Sequence, residues 1–330
     1  MPNKSPTTLL KKTREEWIET ARTLAEALPY IQTFKEHTFV IKFGGSAMTE
    51  PSLTKTFAHD LMLLKEIGIN PVVIHGGGPQ IGSTLKNLGM KSSFYKGLRI
   101  TDKSTIKIVE KVLVEEINKS IVEAINEAGG NAIGLSGKSG RLIEAEKIIL
   151  NSQDLDSDSG EIVDLGYVGE PTKINSEALG SFASTEIIPV ISPIGIGIND
   201  ETYNINADTA AGAIASAVNA SKFILLTDVE GVLDKEDQLV EQLTLKTATN
   251  MLNDGSLSGG MIPKIETCAK AINEGTMAVH ILDGRIPHVL LLELFTDHGV
   301  GTMINNSSDD PTIWSLSAIK LCKLDDGTIN

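Results

Sequence analysis

The chain has 330 residues, a net charge of −14, 41% hydrophobic and 4% aromatic residues. That acidity argues against a nucleic-acid backbone or an anionic membrane as the main partner, so an anionic substrate must be met by local lysines and arginines. Two distant cysteines (Cys268, Cys322) and six scattered histidines give neither a disulfide framework nor metal-ligand spacing, and no apolar run is long enough for a membrane helix or a signal-peptide core, so a cytoplasmic globular protein is expected.

In chain order, residues 8–28 place Leu10, Trp17, Ala21, Leu24 and Leu28 on one helical stripe, with Pro29 expected to end the helix. Such a helix either covers the body or packs on another subunit. From 38 to about 195, apolar runs alternate with amphipathic stretches: strand 38–43, helix 51–67, strand 71–75, helix 79–89, a long helix 102–128, strand 131–136, helix 175–184 and strand 187–192. This alternation predicts a mostly parallel sheet with right-handed crossovers. Residues 151–160 read as a polar, acidic connection. Then follow a helix of small residues over 204–219, a strand from Phe223 to Thr227, a loop and helix over 257–275, strand 277–282, helix 288–296 and a closing segment 299–304. The tail 305–330, with Trp314, Leu316, Ile319 and Leu321, is expected to attach loosely.

Two glycine-rich loops stand out. Lys42-Phe43-Gly44-Gly45-Ser46 and His75-Gly76-Gly77-Gly78-Pro79-Gln80 each follow a buried strand and are read as entering a helix. Glycines there expose backbone N–H groups, and a helix N-terminus behind them favours an anion. Both loops can end on one edge of a parallel sheet, where open α/β sheets bind ligands.

Single residues are less decisive. Lys42 is either a solvated strand end or an anion clamp, and Lys264, behind Gly259-Gly260, poses the same choice. Asp208 is either a helix N-terminal carboxylate or the group that holds two lysines in place. Arg99 is either a surface residue or a bidentate carboxylate clamp. His75 is read as structural or orienting. Gly137-Lys138-Ser139 imitates the end of a Walker loop, but Ala132 stands where that loop needs glycine, and an extended segment follows.

Taken together, Lys42–Met48, His75–Gln80, Gly97–Asp102, Gly134–Gly137, Asn204–Asp208, Leu226–Gly231 and Gly259–Lys264 resemble the amino acid kinase family over residues 29–304, and within it the branch that phosphorylates N-acetyl-L-glutamate. The resemblance implies a three-layer αβα sandwich around a mainly parallel open sheet, with an extra N-terminal helix. It implies a helix at 1–33 for oligomerisation and arginine inhibition, an acetylglutamate lobe at 34–219, an ATP lobe at 220–304 and a tail at 305–330. Lys42 and Lys264 are then similar to the lysines that stabilise the moving phosphoryl group, with Asp208 organising both. Gly77, Gly78, Arg99 and Asn204 are similar to the substrate-binding residues, and Gly44, Gly45, Thr227 and Asp228 to the ATP-binding ones. The implied cofactors are ATP and Mg²⁺, the metal held mainly by ATP and not by a protein site. The N-terminal extension resembles that of arginine-inhibited homohexamers (trimers of dimers), with Trp17, His280, Glu293 and Gly299 at the inhibitor site. Whether a PII-type regulator binds is left open.

The residue types agree with that chemistry. A side-chain carboxylate nucleophile, with an ordinary pKa of about 4.3, is already ionised at pH 7 and needs no base. What it needs is relief from repulsion by the phosphates. An aspartokinase-like enzyme is a second reading, although 26 tail residues are too few for its usual sensing module; a non-catalytic arginine or nucleotide sensor is a third. Phe43, where the family usually has tyrosine, and Ser46 are departures close to the expected site.

Overall fold

The computed structural model describes residues 13–150, 164–257, 259–296 and 299–306. The acidic connection at 151–160, Leu10 and the apolar residues of the tail therefore lie outside the described residues. The elements in order are α1 (Arg14–Phe34), β1 (Thr38–Phe43), α2 (Pro51–Glu66), β2 (Asn70–His75), α3 (Gly78–Asn87) and the short pair β3 (Phe94–Tyr95) and β4 (Leu98–Arg99). Next come α4 (Lys103–Lys111), α5 (Asn118–Glu127), β5 (Asn131–Ser136), β6 (Ile143–Lys147), β7 (Val168–Ile174), α6 (Ser176–Ala183), β8 (Ile187–Ser192), β9 (Ile194–Ile196) and β10 (Thr202–Ile205). The second half holds α7 (Ala207–Ala217), β11 (Lys222–Thr227), β12 (Gln242–Thr244), α8 (Leu245–Asn253), α9 (Met261–Asn273), β13 (Ala278–Asp283), α10 (Val289–Phe295) and β14 (Thr302–Asn305).

Eight strands form one sheet in the order β12-β14-β13-β11-β1-β2-β8-β5. Only the β13–β14 junction is antiparallel, so β14 and β12 run against the other six. Side chains alternate between the faces of a strand, and β1 shows this directly. Phe39, Ile41 and Phe43 enter the core beneath α2, α5 and α10, whereas Val40 joins the core beneath α7 and α9. Lys42 shares a face with Val40 and so leaves the sheet on the α7–α9 side. The expected mainly parallel sheet, covered on both faces, is what the structure has. From β1 the chain builds outward through β2 on one side and later through β11 on the other. The crevice of such a sheet lies beyond the carboxyl ends of its strands, where this order reverses.

Several sequence expectations need correction. Helix α1 does not stop at Pro29 but passes through it to Phe34. The missing N–H and the ring of a mid-helix proline are costly, and the turn beyond is anchored by the burial of Tyr30 and Phe34. The first glycine loop enters a short 3₁₀ turn, Gly45–Met48, and not a long helix. Helix α7 starts at Ala207: Asn206 caps it by accepting from the N–H groups of Asp208 (2.9 Å) and Thr209 (3.2 Å), and residues 204 and 205 end β10. A closed ring of four strands, β10-β7-β6-β9, was not anticipated, nor were β12 and α8. The long helix over 102–128 is continuous but contains a π-helical turn at Val112–Ile117. Among the described residues, no helix is long and apolar enough to cross a membrane.

Candidate active site

Two clefts open at the carboxyl ends of the central strands, and they share a wall. The larger, about 700 Å³, is lined by Lys42, Gly45, Thr227, Asp228, Lys264 and Arg285 among others. The smaller, about 230 Å³, is lined by Lys42, Gly45, Gly77, Gly78, Arg99, Asn204 and Asp208 among others. Lys42 and Gly45 belong to both. A further pocket of about 310 Å³ lies at the opposite, amino ends of β1, β2 and β8, beside Thr38, Asn70 and Ile187, but holds none of the candidate site residues.

At the junction, the Asp208 carboxylate lies between two ammonium groups. Its Oδ1 is 3.0 Å from Lys42 Nζ and its Oδ2 is 2.8 Å from Lys264 Nζ. The Lys264 contact is also a hydrogen bond. The Lys42 contact is an ion pair without hydrogen-bond alignment, which leaves Oδ1 buried with lone-pair capacity unused. Burial works to raise the Asp208 pKa, but Lys42 and then Lys264 outweigh it and hold the carboxyl at about 2. Three elements converge to make this group. Lys42 comes from the end of β1, Asp208 from the first turn of α7, and Lys264 from the first turn of α9. The small residues of α7 allow the approach: a Cβ on Gly212 would sit 2.9 Å from Thr267 Cγ2 of α9.

The first glycine loop is shaped around this lysine. A Cβ on Gly44 would lie 2.2 Å from Lys42 Nζ, so only glycine lets the ammonium fold back over the loop. Gly45 has φ +71°, and a Cβ there would strike the Asp228 carboxylate at 2.4 Å. Asp228 Oδ1 accepts from both the N–H and the hydroxyl of Ser46, each at 2.7 Å. Asp228 thus ties the loop after β1 to the loop after β11, and the Ser46 departure supplies one of the two bonds. The Phe43 departure points elsewhere: its buried ring stacks on Phe57 with centroids 4.0 Å apart, on the sheet face opposite Lys42. The Thr227 hydroxyl is turned into its own loop, donating to Val229 O (3.2 Å) and accepting from Val229 N (3.1 Å).

In the smaller cleft, buried Arg99 donates through Nη2 to Gly78 O at 2.9 Å and through Nη1 to Ser92 Oγ, with Phe94 covering its guanidinium at 4.5 Å. Asn204 donates to Thr101 Oγ1 at 3.3 Å. His75 is fully buried behind the second glycine loop, and burial lowers its pKa to about 4, so it is neutral and structural. Lys138, from the false Walker motif, links Glu110 (2.8 Å) to Thr202 (2.9 Å).

The structure also brings His280, Glu293 and Gly299 together, but in a third pocket away from the clefts. His280 Nδ1 donates to Glu293 Oε1 at 2.6 Å, and Lys222 Nζ donates to His280 Nε2 at 2.9 Å. Burial is the main force lowering the Lys222 pKa, to about 8. Trp17 is exposed on α1 and does not line this pocket; Tyr30 and Phe34 do. Sequence reasoning missed Tyr30, Phe34, Lys222 and Arg285, and marked Ser46 as a departure near the site without its bond to Asp228. The expected end of the helix at Pro29 hid the first two, and only spatial proximity reveals Lys222 and Arg285.

Residues 37–283 match the amino acid kinase family, and the chain belongs to that family. Among curated relatives, it is 53% identical to the acetylglutamate kinase of Rhodospirillum centenum over 91% of this chain and 98% of that one. It is 52% identical to the acetylglutamate kinase of Rhodospirillum rubrum over 89% and 94%, respectively. In fold it is similar to an N-acetylglutamate synthase from Neisseria gonorrhoeae, solved with coenzyme A and N-acetyl-glutamate (TM-score 0.76, 24% identity, 87% of this chain and 64% of that one).

Asp208 has a folded-state pKa of about 2 against an ordinary 3.8, so its charge stabilises the fold above pH 3.8 and that contribution is lost as the pH falls through 2. Denaturant titrations should therefore show stability falling more steeply between those pH values in the wild type than in Asp208→Asn. Equal slopes would contradict the ion-pair assignment.

Proposed function

We propose that the protein transfers the γ-phosphoryl group of ATP to the side-chain carboxylate of N-acetyl-L-glutamate, giving N-acetyl-L-glutamyl 5-phosphate and ADP on the route to arginine. One observation carries the reading: two clefts meet at Lys42, and Asp208 holds Lys42 and Lys264 together at that meeting point. The identity to acetylglutamate kinases over nearly the whole chain supports the choice of acceptor.

In this reading, residues 34–219 bind acetylglutamate and residues 220–304 bind the nucleotide. The Gly77 and Gly78 N–H groups, Arg99 and Asn204 orient the acceptor, with Arg99 on its α-carboxylate. The Gly44 and Gly45 N–H groups meet the ATP phosphates, and Thr227 and Asp228 shape the nucleotide side. The acceptor carboxylate arrives ionised, so no residue takes a proton from it. Lys42 and Lys264 lower the repulsion between carboxylate and phosphates and stabilise charge on the equatorial and leaving oxygens. Asp208 keeps the two ammonium groups at a fixed separation and touches neither reacting oxygen. Glycine N–H groups and two lysines fit nucleotide phosphates, and Mg²⁺, which usually keeps few protein ligands in such sites, would neutralise phosphate charge when bound with ATP.

The direct assay traps acyl phosphate with hydroxylamine in the presence of ATP, Mg²⁺ and either acetylglutamate, aspartate or no acceptor. The expected result is hydroxamate from acetylglutamate only, with kcat lowered roughly 10²–10³-fold in Lys42→Ala and Lys264→Ala. Equal yield from aspartate would move the assignment to an aspartokinase-like enzyme, and no product from either would favour a nucleotide or arginine sensor.

The third pocket supports a second role, feedback inhibition by L-arginine in a homohexamer built through α1. The Glu293 side chain, only 5% exposed, carries a carboxylate that suits a guanidinium. The exposed Trp17, Ile18, Leu24 and Leu28 leave an apolar stripe on α1 for another subunit. Trp17 would serve that interface, and Tyr30 the pocket. Deleting residues 1–28 should leave activity but collapse the hexamer and desensitise the enzyme to arginine. Inhibition at an unchanged arginine concentration would contradict this role.

A further inference from the structure

A buried polar cluster beneath the second glycine loop takes no part in the chemistry above. Asn118 is buried, and its Nδ2 lies 2.9 Å from Val190 O, 3.3 Å from His75 Nε2 and 3.4 Å from Leu135 O. It therefore touches β8, β2 and β5, three adjacent strands of the sheet. Gly134 makes room for it, since a Cβ there would lie 2.1 Å from Asn118 Oδ1.

The protons in this cluster can be assigned. Gly76 O only accepts, so His75 Nδ1, 2.8 Å away, carries the hydrogen and Nε2 is an acceptor. Asn118 then gives one hydrogen to Val190 O and the other to Nε2. The Ser192 hydroxyl, 3.1 Å from Nε2, donates instead to Leu113 O at 3.2 Å. No polar hydrogen is left without an acceptor, which is the condition for a buried network to fix a unique geometry.

Leu113 O is also where the π-helical turn closes, accepting from the Asn118 N–H. The extra residue of such a turn shifts the helix relative to α-helical register, and π turns recur at functional sites. Here the shift brings Leu113 and Ile117 against the glycine loop: a Cβ on Gly77 would sit 2.6 Å from Leu113 Cδ2 and 2.7 Å from Ile117 Cδ1. Leu113 also lines the smaller cleft.

We propose that the π-helical turn Val112–Ile117, locked to the sheet by Asn118 and Ser192, sets the height of the Gly76–Gly78 loop and so the position of the bound acceptor. Asn118 and Ser192 are positioning residues acting through His75 and Leu113. This rests on the smaller cleft being the acetylglutamate site. The nucleotide side does not touch the cluster, so the effect should fall on one substrate alone.

The test compares Asn118→Ala and Ser192→Ala with Ile125→Ala, a core truncation in the same helix but outside the network. Both KM values, kcat and Tm are measured for each. Wild-type turnover of acetylglutamate is established first, so failure of the functional reading appears before any variant is compared. We expect the acetylglutamate KM to rise about tenfold in Asn118→Ala and about threefold in Ser192→Ala, with the KM for MgATP changed less than about twofold. Ile125→Ala should lower Tm with both KM values unchanged. The inference is overturned if the two KM values move together, if Ile125→Ala raises the acetylglutamate KM equally, or if Ser192→Ala lowers Tm alone. Should Asn118→Ala fail to fold, the comparison of Ser192→Ala with Ile125→Ala decides the matter.

Discussion

The site depends on one carboxylate shared by two ammonium groups. Two lysines brought together without a counter-ion would repel, and at least one would swing away or lose its proton. Asp208 between them leaves a group with a single net positive charge and two fixed nitrogens, at 3.0 and 2.8 Å from its oxygens. A protein with a net charge of −14 can in this way present a local cationic point without a broad basic surface. Because the three side chains are only 10–20% exposed, solvent and salt screen the group far less than a surface ion pair.

The fold serves to deliver those three side chains. Two-residue periodicity along β1 sends Phe39, Ile41 and Phe43 to one core and Lys42 to the opposite face. The Asn206 cap starts α7 one residue before Asp208 enters the helix, and the Gly259-Gly260 loop starts α9 just before Lys264. The reversal of strand order around β1 opens a crevice where these ends meet. The link from Asp228 to Ser46 spans it, joining the two halves of the sheet above the shared wall.

Much of this was legible in the chain. Strong apolar runs located β1, β2, β8, β11 and β13 to within a residue or two, because continuous burial leaves a clear signal. Lys42, Asp208 and Lys264 stood out only as a set, and their pairwise contacts were not derivable from spacing. The four-stranded ring was missed because β9 and β10 are only three and four residues long, while β6 and β7 are half polar, as in Glu144, Glu146, Glu170 and Lys173. Helix α1 was cut short because local chemistry favours a stop at Pro29, and tertiary burial of Tyr30 and Phe34 overrides it. The π-helical turn is invisible to a periodicity argument, since one added residue in a 25-residue amphipathic stretch shifts the stripe only slightly. Contacts between residues far apart in the chain, such as Ser46 with Asp228 across two loops and Lys222 with His280 across the neighbouring strands β11 and β13, have no sequence signature at all.

The central claim, that phosphoryl transfer occurs between the two clefts at the lysine pair, is tested most directly by a crystal structure with MgADP, a metal fluoride and acetylglutamate. The account predicts the metal fluoride at the junction, Nζ of Lys42 and of Lys264 each within about 3 Å of fluoride, Asp208 still bridging the lysines, and the acetylglutamate side-chain carboxylate in line on the Gly77–Gly78 side. A metal fluoride bound elsewhere, or either lysine turned away from it, would contradict the account.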